Sequence, residues 1–300
     1  MAGPIDDILQ TIAATPTVQL GRIVGAMDAT VFAKLEQFNP SGSIKDRVAA
    51  PILDRALAEG AVRVGGIVIE ATQGNSGIAM ALACAVRGLS LVLVVPEGLP
   101  AEKQMLLRLY GAKLLTTPAS EGMPGAVRRA DELAHNTPAA FCPRMLSNPM
   151  TGEIHERTTA AEIIAAAEAQ ATPIDAFVAC VASGATFVAI ARAIRRRYPD
   201  VRCIAVDGPS GNDCEDEYQP ESAPHTWLDP RDTLVPVSGA EAWAARSRLA
   251  REEGILTGLP GGSVLHVALE VARDLGPGKT VYALLGDGGD RYFSLAGSFE

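Results

Sequence analysis

Short apolar segments alternate with helix-like segments along most of the sequence, and this alternation limits the possible folds strongly. Residues 66–69 and 89–95 are largely apolar, residues 78–87 between them have a helical pattern, and a second set of this kind runs from 162 to 285. Strands that read as continuous apolar runs are typical of parallel sheets covered by helices on both faces. The sequence therefore predicts an α/β protein with two sets of parallel strands. A short helix is predicted at 5–12, residues 141–146 are predicted to close the first set, and the runs at 176–181 and 280–285 are predicted to be strands of the second set.

The composition supports a folded protein with a large core. The chain has 300 residues, of which 48% are hydrophobic, enough for one large domain or two moderate ones. Its formal net charge of -9 argues against a nucleic-acid-binding protein. The basic run at 192–197 alternates with alanine and isoleucine, which is typical of the solvated face of an amphipathic helix.

The sequence also bears on the cellular compartment. No apolar run approaches the roughly 20 residues of a membrane helix, and residues 1–10 carry acids where a signal peptide carries bases. The five cysteines contain no C-x-x-C pair, and the four histidines lack metal-ligand spacing, so neither a disulfide framework nor a metal site is expected. These features predict a cytoplasmic protein with reduced thiols.

A tight polar turn, residues 38–47, delivers Lys45 into a following helix. It reads F-N-P-S-G-S-I-K-D-R, and its turn formers predict a helix that begins near Ser43, with Ser43 as the N-cap. Lys45 would then lie in the first helical turn, where the positive end of the helix dipole favours a neutral amine. A neutral amine can attack an aldehyde. A solvated lysine that pairs with Asp46 or Glu36 fits this turn equally well.

A second polar segment follows the apolar run at 66–69. Residues 70–77 read E-A-T-Q-G-N-S-G and lead into the helical pattern at 78–87. Free backbone N–H groups at the N-terminus of such a helix bind anions. Taken alone, an ordinary strand-to-helix connection with a glycine bend is the simpler interpretation. With Lys45 upstream, an anion-binding loop is favoured.

These two motifs, in this order, resemble those of the cysteine synthases, also called O-acetylserine sulfhydrylases. These are fold type II enzymes that use pyridoxal phosphate. The family's lysine motif is similar to residues 38–47, and its asparagine loop, usually T-S-G-N-T-G, is similar to residues 72–77. The resemblance extends from a T-P-x-V segment at 15–18 to a closing segment at 286–292 that resembles G-D-R-Y, so it spans nearly the whole chain.

The resemblance implies a role for each matching residue. Lys45 would form an imine with pyridoxal phosphate and later take the substrate's α-proton. Asn75 would hydrogen-bond the cofactor's phenolic oxygen. Four other residues of the asparagine loop, which we define as residues 72–77, would bind the substrate carboxylate. Those substrate-binding residues are Thr72, Gln73, Gly74 and Ser76.

In this family the cofactor phosphate binds a glycine-rich loop, commonly G-T-G-G-T, at the start of a helix. The matching residues here, which we call the phosphate loop, are Ala182, Ser183, Gly184, Ala185 and Thr186. Alanine replaces two of the glycines and tolerates fewer backbone conformations. Because the hydroxyl groups and a helix N-terminus are retained, the resemblance still implies phosphate binding, with an altered set of contacts.

Three further positions depart from the family pattern. Pro260, in a glycine-rich turn at 254–262, replaces the serine or threonine expected beside the pyridine nitrogen, and Ser263 is a candidate to take its place as a cofactor contact. Met145 replaces the glutamine of the segment Q-F-S-N-P, which helps to close the site on its substrate. Gln73 replaces a small hydroxyl residue. The substrate pocket is therefore expected to be remodelled.

The resemblance also implies the domain layout and the reaction. A smaller α/β domain, residues 37–144, would be inserted into a larger one of residues 1–36 plus 145–300, each with three αβα layers and with the cofactor cleft between them. The expected reaction is a β-substitution on O-acetylserine or O-phosphoserine by sulfide or another small nucleophile, through an aminoacrylate, to give cysteine or a β-substituted alanine. Such enzymes are commonly homodimers, and neither a nucleic acid nor a membrane is an expected partner.

Two alternatives stay open at this point. The departures also fit a β-elimination, such as the dehydration of a hydroxy amino acid, or a catalytically degenerate protein that keeps the fold and acts by binding. A nicotinamide dehydrogenase is disfavoured, because no G-x-G-x-x-G follows the first strand of a βαβ unit.

Several charged residues and one long segment are assigned structural roles. Lys103 and Arg108 are predicted to lie on the solvated side of a helix. Residues 287–291 contain charges that indicate a structural ion-pair cluster, and residues 208–236 are predicted to form a long surface connection or a lid.

Overall fold

The computed structural model describes residues 4–209, 228–295 and 297. Its strands are β1 (Thr17–Gln19), β2 (Thr30–Leu35), β3 (Ile67–Ala71), β4 (Ser90–Pro96), β5 (Lys113–Thr117), β6 (Ala176–Cys180), β7 (Arg202–Asp207), β8 (Thr233–Pro236) and β9 (Thr280–Leu285). Its α-helices are α1 (Asp46–Ala58), α2 (Asn75–Arg87), α3 (Ala101–Leu109), α4 (Gly122–Asn136), α5 (Met150–His155), α6 (Ala161–Ala169), α7 (Ala185–Arg197), α8 (Gly239–Glu253) and α9 (Leu259–Leu275).

The described residues divide into two compact units. The first unit consists of residues 4–13 and 39–150, and the second of residues 14–38, 151–209 and 228–297. The first unit thus includes an N-terminal segment that the sequence analysis placed in the larger domain. An ion pair of 2.9 Å between Asp7 Oδ2 and Arg87 Nη1 attaches this segment to α2. The limits 37–144 and 1–36 plus 145–300 stay a prediction.

The first unit is built on a three-stranded sheet with the order β3-β4-β5, in which both pairs are parallel. Apolar residues of β3 and β4, such as Ile69 and Val94, pack against Met123 and Ala126 of α4. Because β3 is buried over most of its length, its carboxyl end is fixed by the core, and this end leads into the asparagine loop.

The second unit is built on a six-stranded sheet with the order β1-β2-β9-β6-β7-β8, in which only β1 pairs antiparallel to its neighbour. All six residues of β9, at the centre, are buried, as the apolar run at its position predicts. The rings of Phe32 and Tyr282 stack across β2 and β9, with their centroids 4.9 Å apart. The carboxyl end of β6 leads into the phosphate loop.

Several boundaries differ from those read from the sequence. The predicted helix at 5–12 is a 3-10 helix, Ile8–Thr11. The apolar residues 141–146 form no strand but contribute a single bridge between Phe141 and Val68. The predicted connection at 208–236 lies outside the described residues over 210–227, and its end forms β8. None of the helices that the structure describes is long and apolar enough to cross a membrane.

Candidate active site

Lys45 immediately precedes the first residue of α1. The predicted helix start near Ser43 is therefore too early: Lys45 itself is the N-cap residue, and the Ser43 hydroxyl accepts a hydrogen bond of 3.3 Å from the Lys45 amide. The turn closes through Asp46, whose carboxylate accepts hydrogen bonds from both the amide and the hydroxyl of Ser41. Gly42 has a φ of 87°, a conformation that favours glycine. These contacts fix the backbone of the turn that carries Lys45, and Lys45 itself is half-buried.

The asparagine loop is organised around the buried hydroxyl of Thr72. Its Oγ1 accepts hydrogen bonds from the amides of Gly74 (3.1 Å) and Gly77 (2.9 Å) and lies 3.0 Å from the Ser76 hydroxyl. A Cβ at Gly77 would lie 2.5 Å from Thr72 Cγ2, so a side chain there would displace this hydroxyl. Thr72 is predicted to contact the substrate, and in the structure its hydroxyl also stabilises the loop.

Helix α2 begins at Asn75, three residues before the predicted start at 78. Asn75 and Ser76 therefore lie in its first turn, and Gly74 is the N-cap residue. Free N–H groups at this helix end favour negative charge nearby. The loop that resembles the family's carboxylate-binding segment thus has backbone electrostatics suited to a carboxylate, and Gln73, within this loop, is half-buried.

Lys103 is not on a solvated surface, and the prediction for this residue is wrong. It is 2% exposed, and a Cβ at Gly74 would lie 3.2 Å from its Nζ. Lys103 and Leu107 are four residues apart on α3, so both point to the same buried side of the helix. The prediction is correct for Arg108, which is exposed and donates to Gln104. A buried lysine side chain therefore lies against the asparagine loop, and the sequence pattern did not indicate it.

Met145 is buried and is held by a carboxylate from β3. Its backbone amide donates a hydrogen bond of 2.9 Å to Glu70 Oε2, while Glu70 Oε1 accepts one of 3.1 Å from the Ala71 amide. Burial raises the pKa of Glu70 to about 7. Glu70 lies two residues before the asparagine loop. Its hydrogen bond to the Met145 amide therefore joins the loop to the segment that carries Met145.

The phosphate loop connects β6 to α7 in the second unit. Its Gly184 has a φ of 82° and is the N-cap residue of α7, which begins at Ala185. Thr186 Oγ1 is buried and has no hydrogen-bond partner within the described part of the chain. A buried hydroxyl without a partner costs free energy. A phosphate at this helix N-terminus would supply the missing acceptor.

Pro260 and Ser263 lie in the first turns of α9, because the predicted glycine-rich turn at 254–262 ends as helix from Leu259 onward. The buried Ser263 hydroxyl donates a long hydrogen bond of 3.4 Å to the Leu259 carbonyl. The carbonyl of Pro260 accepts a contact of 3.4 Å from the Cys180 thiol at the end of β6. Cys180 therefore belongs to the surroundings of this turn, which no motif in the sequence indicated.

The closing segment contains the structural cluster that the sequence predicts. The buried carboxylate of Asp287 accepts a hydrogen bond from the Tyr292 hydroxyl, and its backbone carbonyl accepts one of 3.1 Å from the Thr257 hydroxyl. Asp290 Oδ1 lies 3.9 Å from Arg291 Nε. These contacts fix the chain after β9 against the residues that precede α9.

The residues present fit pyridoxal phosphate. The phosphate loop offers a helix N-terminus and a buried hydroxyl that lacks an acceptor, and Lys45 offers an amine in a tight turn. Asn75 is the first residue of α2 and follows the carboxyl end of β3 by four residues, so it lies at that end of the sheet of the first unit. In open α/β sheets, ligands bind beyond the carboxyl ends of the strands. The individual residue assignments stay predictions.

Comparison with known proteins identifies the class. A family model described as pyridoxal-phosphate dependent enzyme matches residues 8–287. The chain therefore belongs to this family, and the predicted cofactor and fold class, α/β of fold type II, are confirmed.

Within this family, the chain is an enzyme of the cysteine synthase type. It is 36% identical to a cysteine synthase of Staphylococcus aureus (strain N315) over 97% of this chain and 96% of that protein. It is also 36% identical to a probable cysteine synthase of Bacillus subtilis (strain 168) over 94% of each chain. The predicted enzyme class is thereby confirmed, and neither the elimination nor the degenerate binding protein is favoured.

Solved structures agree with this placement. The structure of O-ureido-L-serine synthase has a TM-score of 0.89 and 32% identity, covering 97% of this chain and 94% of that one. The O-acetylserine dependent cystathionine beta-synthase from Helicobacter pylori has a TM-score of 0.86 and 31% identity, covering 98% of each chain. Proteins of this fold are thus named for different products.

Proposed function

We propose that this protein catalyses a β-substitution on an activated serine, O-acetylserine or O-phosphoserine, with sulfide or another small nucleophile. The product would be cysteine or a β-substituted alanine. The observation that carries the proposal is the 36% identity to cysteine synthases over 97% of the chain. The O-acetylserine named for one similar structure supports the donor class.

In this proposal the chain's own residues bind, orient and move protons. When bound, pyridoxal phosphate withdraws electrons from the amino acid's α-carbon. Lys45 supplies the amine that holds the cofactor and carries a proton to and from that carbon. Asn75 orients the cofactor ring through its phenolic oxygen, and the amides at the start of α2 hold the substrate carboxylate.

The choice of donor and nucleophile is assigned to the positions that depart from the family. Gln73 and Met145 would line the amino-acid pocket and distinguish among acetyl, phosphoryl and other leaving groups. Pro260 offers no hydroxyl to the cofactor's pyridine nitrogen. Ser263 would contribute one only if it gave up its long bond to the Leu259 carbonyl.

A donor and nucleophile panel tests this function. The holoenzyme would be mixed with O-acetylserine, O-phosphoserine and serine in turn, each with and without sulfide, and the amino-acid products would be separated and quantified. We expect cysteine from at least one activated serine in the presence of sulfide. Release of pyruvate at the same rate with and without sulfide would contradict substitution and restore the elimination.

A substitution in the phosphate loop separates cofactor binding from folding. We expect Thr186→Val to weaken the affinity for pyridoxal phosphate about tenfold, because a charge-assisted hydrogen bond to the phosphate is lost. The cofactor-free protein should keep or gain stability, because the buried hydroxyl without an acceptor is removed. Equilibrium titration with the cofactor and urea unfolding of the apoprotein measure the two effects.

The matched control is Thr186→Ser, which keeps the hydroxyl and should retain most of the affinity for the cofactor. Equal affinities for the wild type and Thr186→Val would contradict the assignment of this residue to the phosphate.

We also propose that the protein is a cytoplasmic homodimer. The resemblance to dimeric enzymes supports the oligomeric state, and an odd number of cysteines, which does not make a disulfide framework, supports a reducing compartment. Light scattering coupled to gel filtration tests the first part. A monomeric mass over the micromolar range would contradict it.

A further inference from the structure

Glu70 is an acid in the interior of the first unit, 4% exposed, and lies one residue before the end of β3. Its two carboxylate oxygens accept from two backbone amides, those of Met145 and Ala71. Burying a carboxylate is costly unless its oxygens are hydrogen-bonded. A simple packing role at this position would be served better by an apolar residue, such as those in the rest of β3.

The contact to Met145 supports a segment that leaves the sheet. Phe141 still forms two backbone hydrogen bonds with β3, each of 2.9 Å, to Ile67 and from Ile69. Beyond it the chain turns at Arg144, which has a φ of 50°, in the left-handed region that disfavours a residue with a side chain. The Glu70 carboxylate accepts a hydrogen bond from the next amide, that of Met145, and this bond connects the turn to β3.

We propose that Glu70 is a positioning residue, whose carboxylate holds Met145 and the asparagine loop in one arrangement for binding the amino-acid substrate. The inference rests on the proposed function, which assigns both of these elements to the substrate. Glu70 itself touches neither substrate nor cofactor in this proposal. It acts through the backbone of Met145 on one side and through Ala71, which directly precedes Thr72, on the other.

The charged and titratable groups that face Glu70 come from two neighbouring elements. Asp131 of α4 raises its pKa, whereas Arg144 lowers it, and these two residues pair with each other at 2.9 Å. Burial raises the pKa of Cys142 to about 11, so this thiol is neutral near pH 7. Burial is the largest influence on Glu70 itself and places its pKa at about 7, against 4.5 for an ordinary glutamate.

The positioning should therefore depend on pH in a defined direction. Above pH 7 the carboxylate is ionised, and both oxygens accept backbone hydrogen bonds at full strength. As the pH falls through 7 the carboxyl is protonated, and one oxygen becomes a donor that faces an amide N–H. The hydrogen bond from the Met145 amide to Glu70 is then weaker, so KM for the donor substrate should rise below pH 7 while kcat changes less.

Two variants and one control test this inference in the holoenzyme. Glu70→Gln should raise KM about tenfold at pH 8, change kcat less than about threefold, and remove the rise of KM below pH 7. Glu70→Asp keeps the charge but shortens the reach, and should show the same increase in KM. Glu132→Gln, which removes an exposed carboxylate from α4, should behave as the wild type.

Hydrogen exchange at the Met145 amide provides a readout that needs no turnover. In the wild type its protection factor should fall between pH 8 and pH 6, and in Glu70→Gln it should be low at both. A wild-type protection factor that is constant with pH, or a KM rise that persists in Glu70→Gln, would overturn the inference. Failure of the proposed reaction with every donor would leave the exchange result standing, so the two hypotheses are separated.

Discussion

The Lys45→Ala variant is expected to lose at least about a thousandfold in turnover and to lack the visible absorbance that bound pyridoxal phosphate gives the wild type. The substitution removes the amine that holds the cofactor and moves the α-proton. The methyl group of alanine can do neither. Steady-state kinetics with the preferred donor and an absorbance spectrum of the purified protein measure the two losses.

Folding should be little affected by this substitution. Lys45 is the N-cap residue of α1, and an ammonium at a helix N-terminus opposes the helix dipole, so its removal should change stability by about 1 kcal/mol or less. Lys113→Ala is the matched control, because this lysine is exposed at the start of β5. If Lys45→Ala kept its colour and rate, Lys45 would be the solvated lysine that the turn sequence also allows.

The order of strands and helices was predictable because the strands are buried on both faces. Short apolar runs such as 280–285 and 176–181 favour buried strands, and the structure pairs the corresponding strands β9 and β6 with each other. The sheet order is a matter of long-range packing, which the local pattern does not contain. For the same reason the local pattern does not show that residues 141–146 close the first set with a single bridge at Phe141 and no strand: the apolar neighbours Ala140 and Leu146 pack against the cluster that includes α4 and are only partly buried.

The candidate site was predictable where residue type and chemistry coincide, and not where a side chain's surroundings decide its role. Lys45 and Asn75 were assigned from motifs that resemble a family. The prediction for Lys103 is wrong because its spacing from Leu107 does not show which side of the helix is buried. In the structure, α3 buries the side that carries both residues. Glu70 closes an apolar run, and nothing in its neighbours signals that a distant amide, Met145, completes its hydrogen bonding.

Gly262→Ala is expected to be the most destabilising of the substitutions considered. A Cβ at this position in α9 would lie 2.2 Å from the carbonyl oxygen of Ala242 and 3.0 Å from the Cβ of Arg246, both on α8. The obstacle is backbone, so no rotamer change relieves it. Alanine gains about 1 kcal/mol in helix propensity over glycine, but overpacking against a rigid neighbour costs about 1–3 kcal/mol and sometimes more.

Because the contact is far below any normal separation, the clash should cost about 3 kcal/mol or more, and after the gain of about 1 kcal/mol in propensity we expect a net loss of about 2 kcal/mol or more in the free energy of unfolding, measured by urea titration. Gly21→Ala is the control, since a Cβ there meets nothing within 4 Å, and it should change stability by about 0.5 kcal/mol or less. Any shift of α9 also moves Pro260 and Ser263, so the affinity for pyridoxal phosphate should fall together with the stability. A Gly262→Ala protein as stable as the wild type would mean that α8 and α9 can separate without cost, which is incompatible with the buried contact between them.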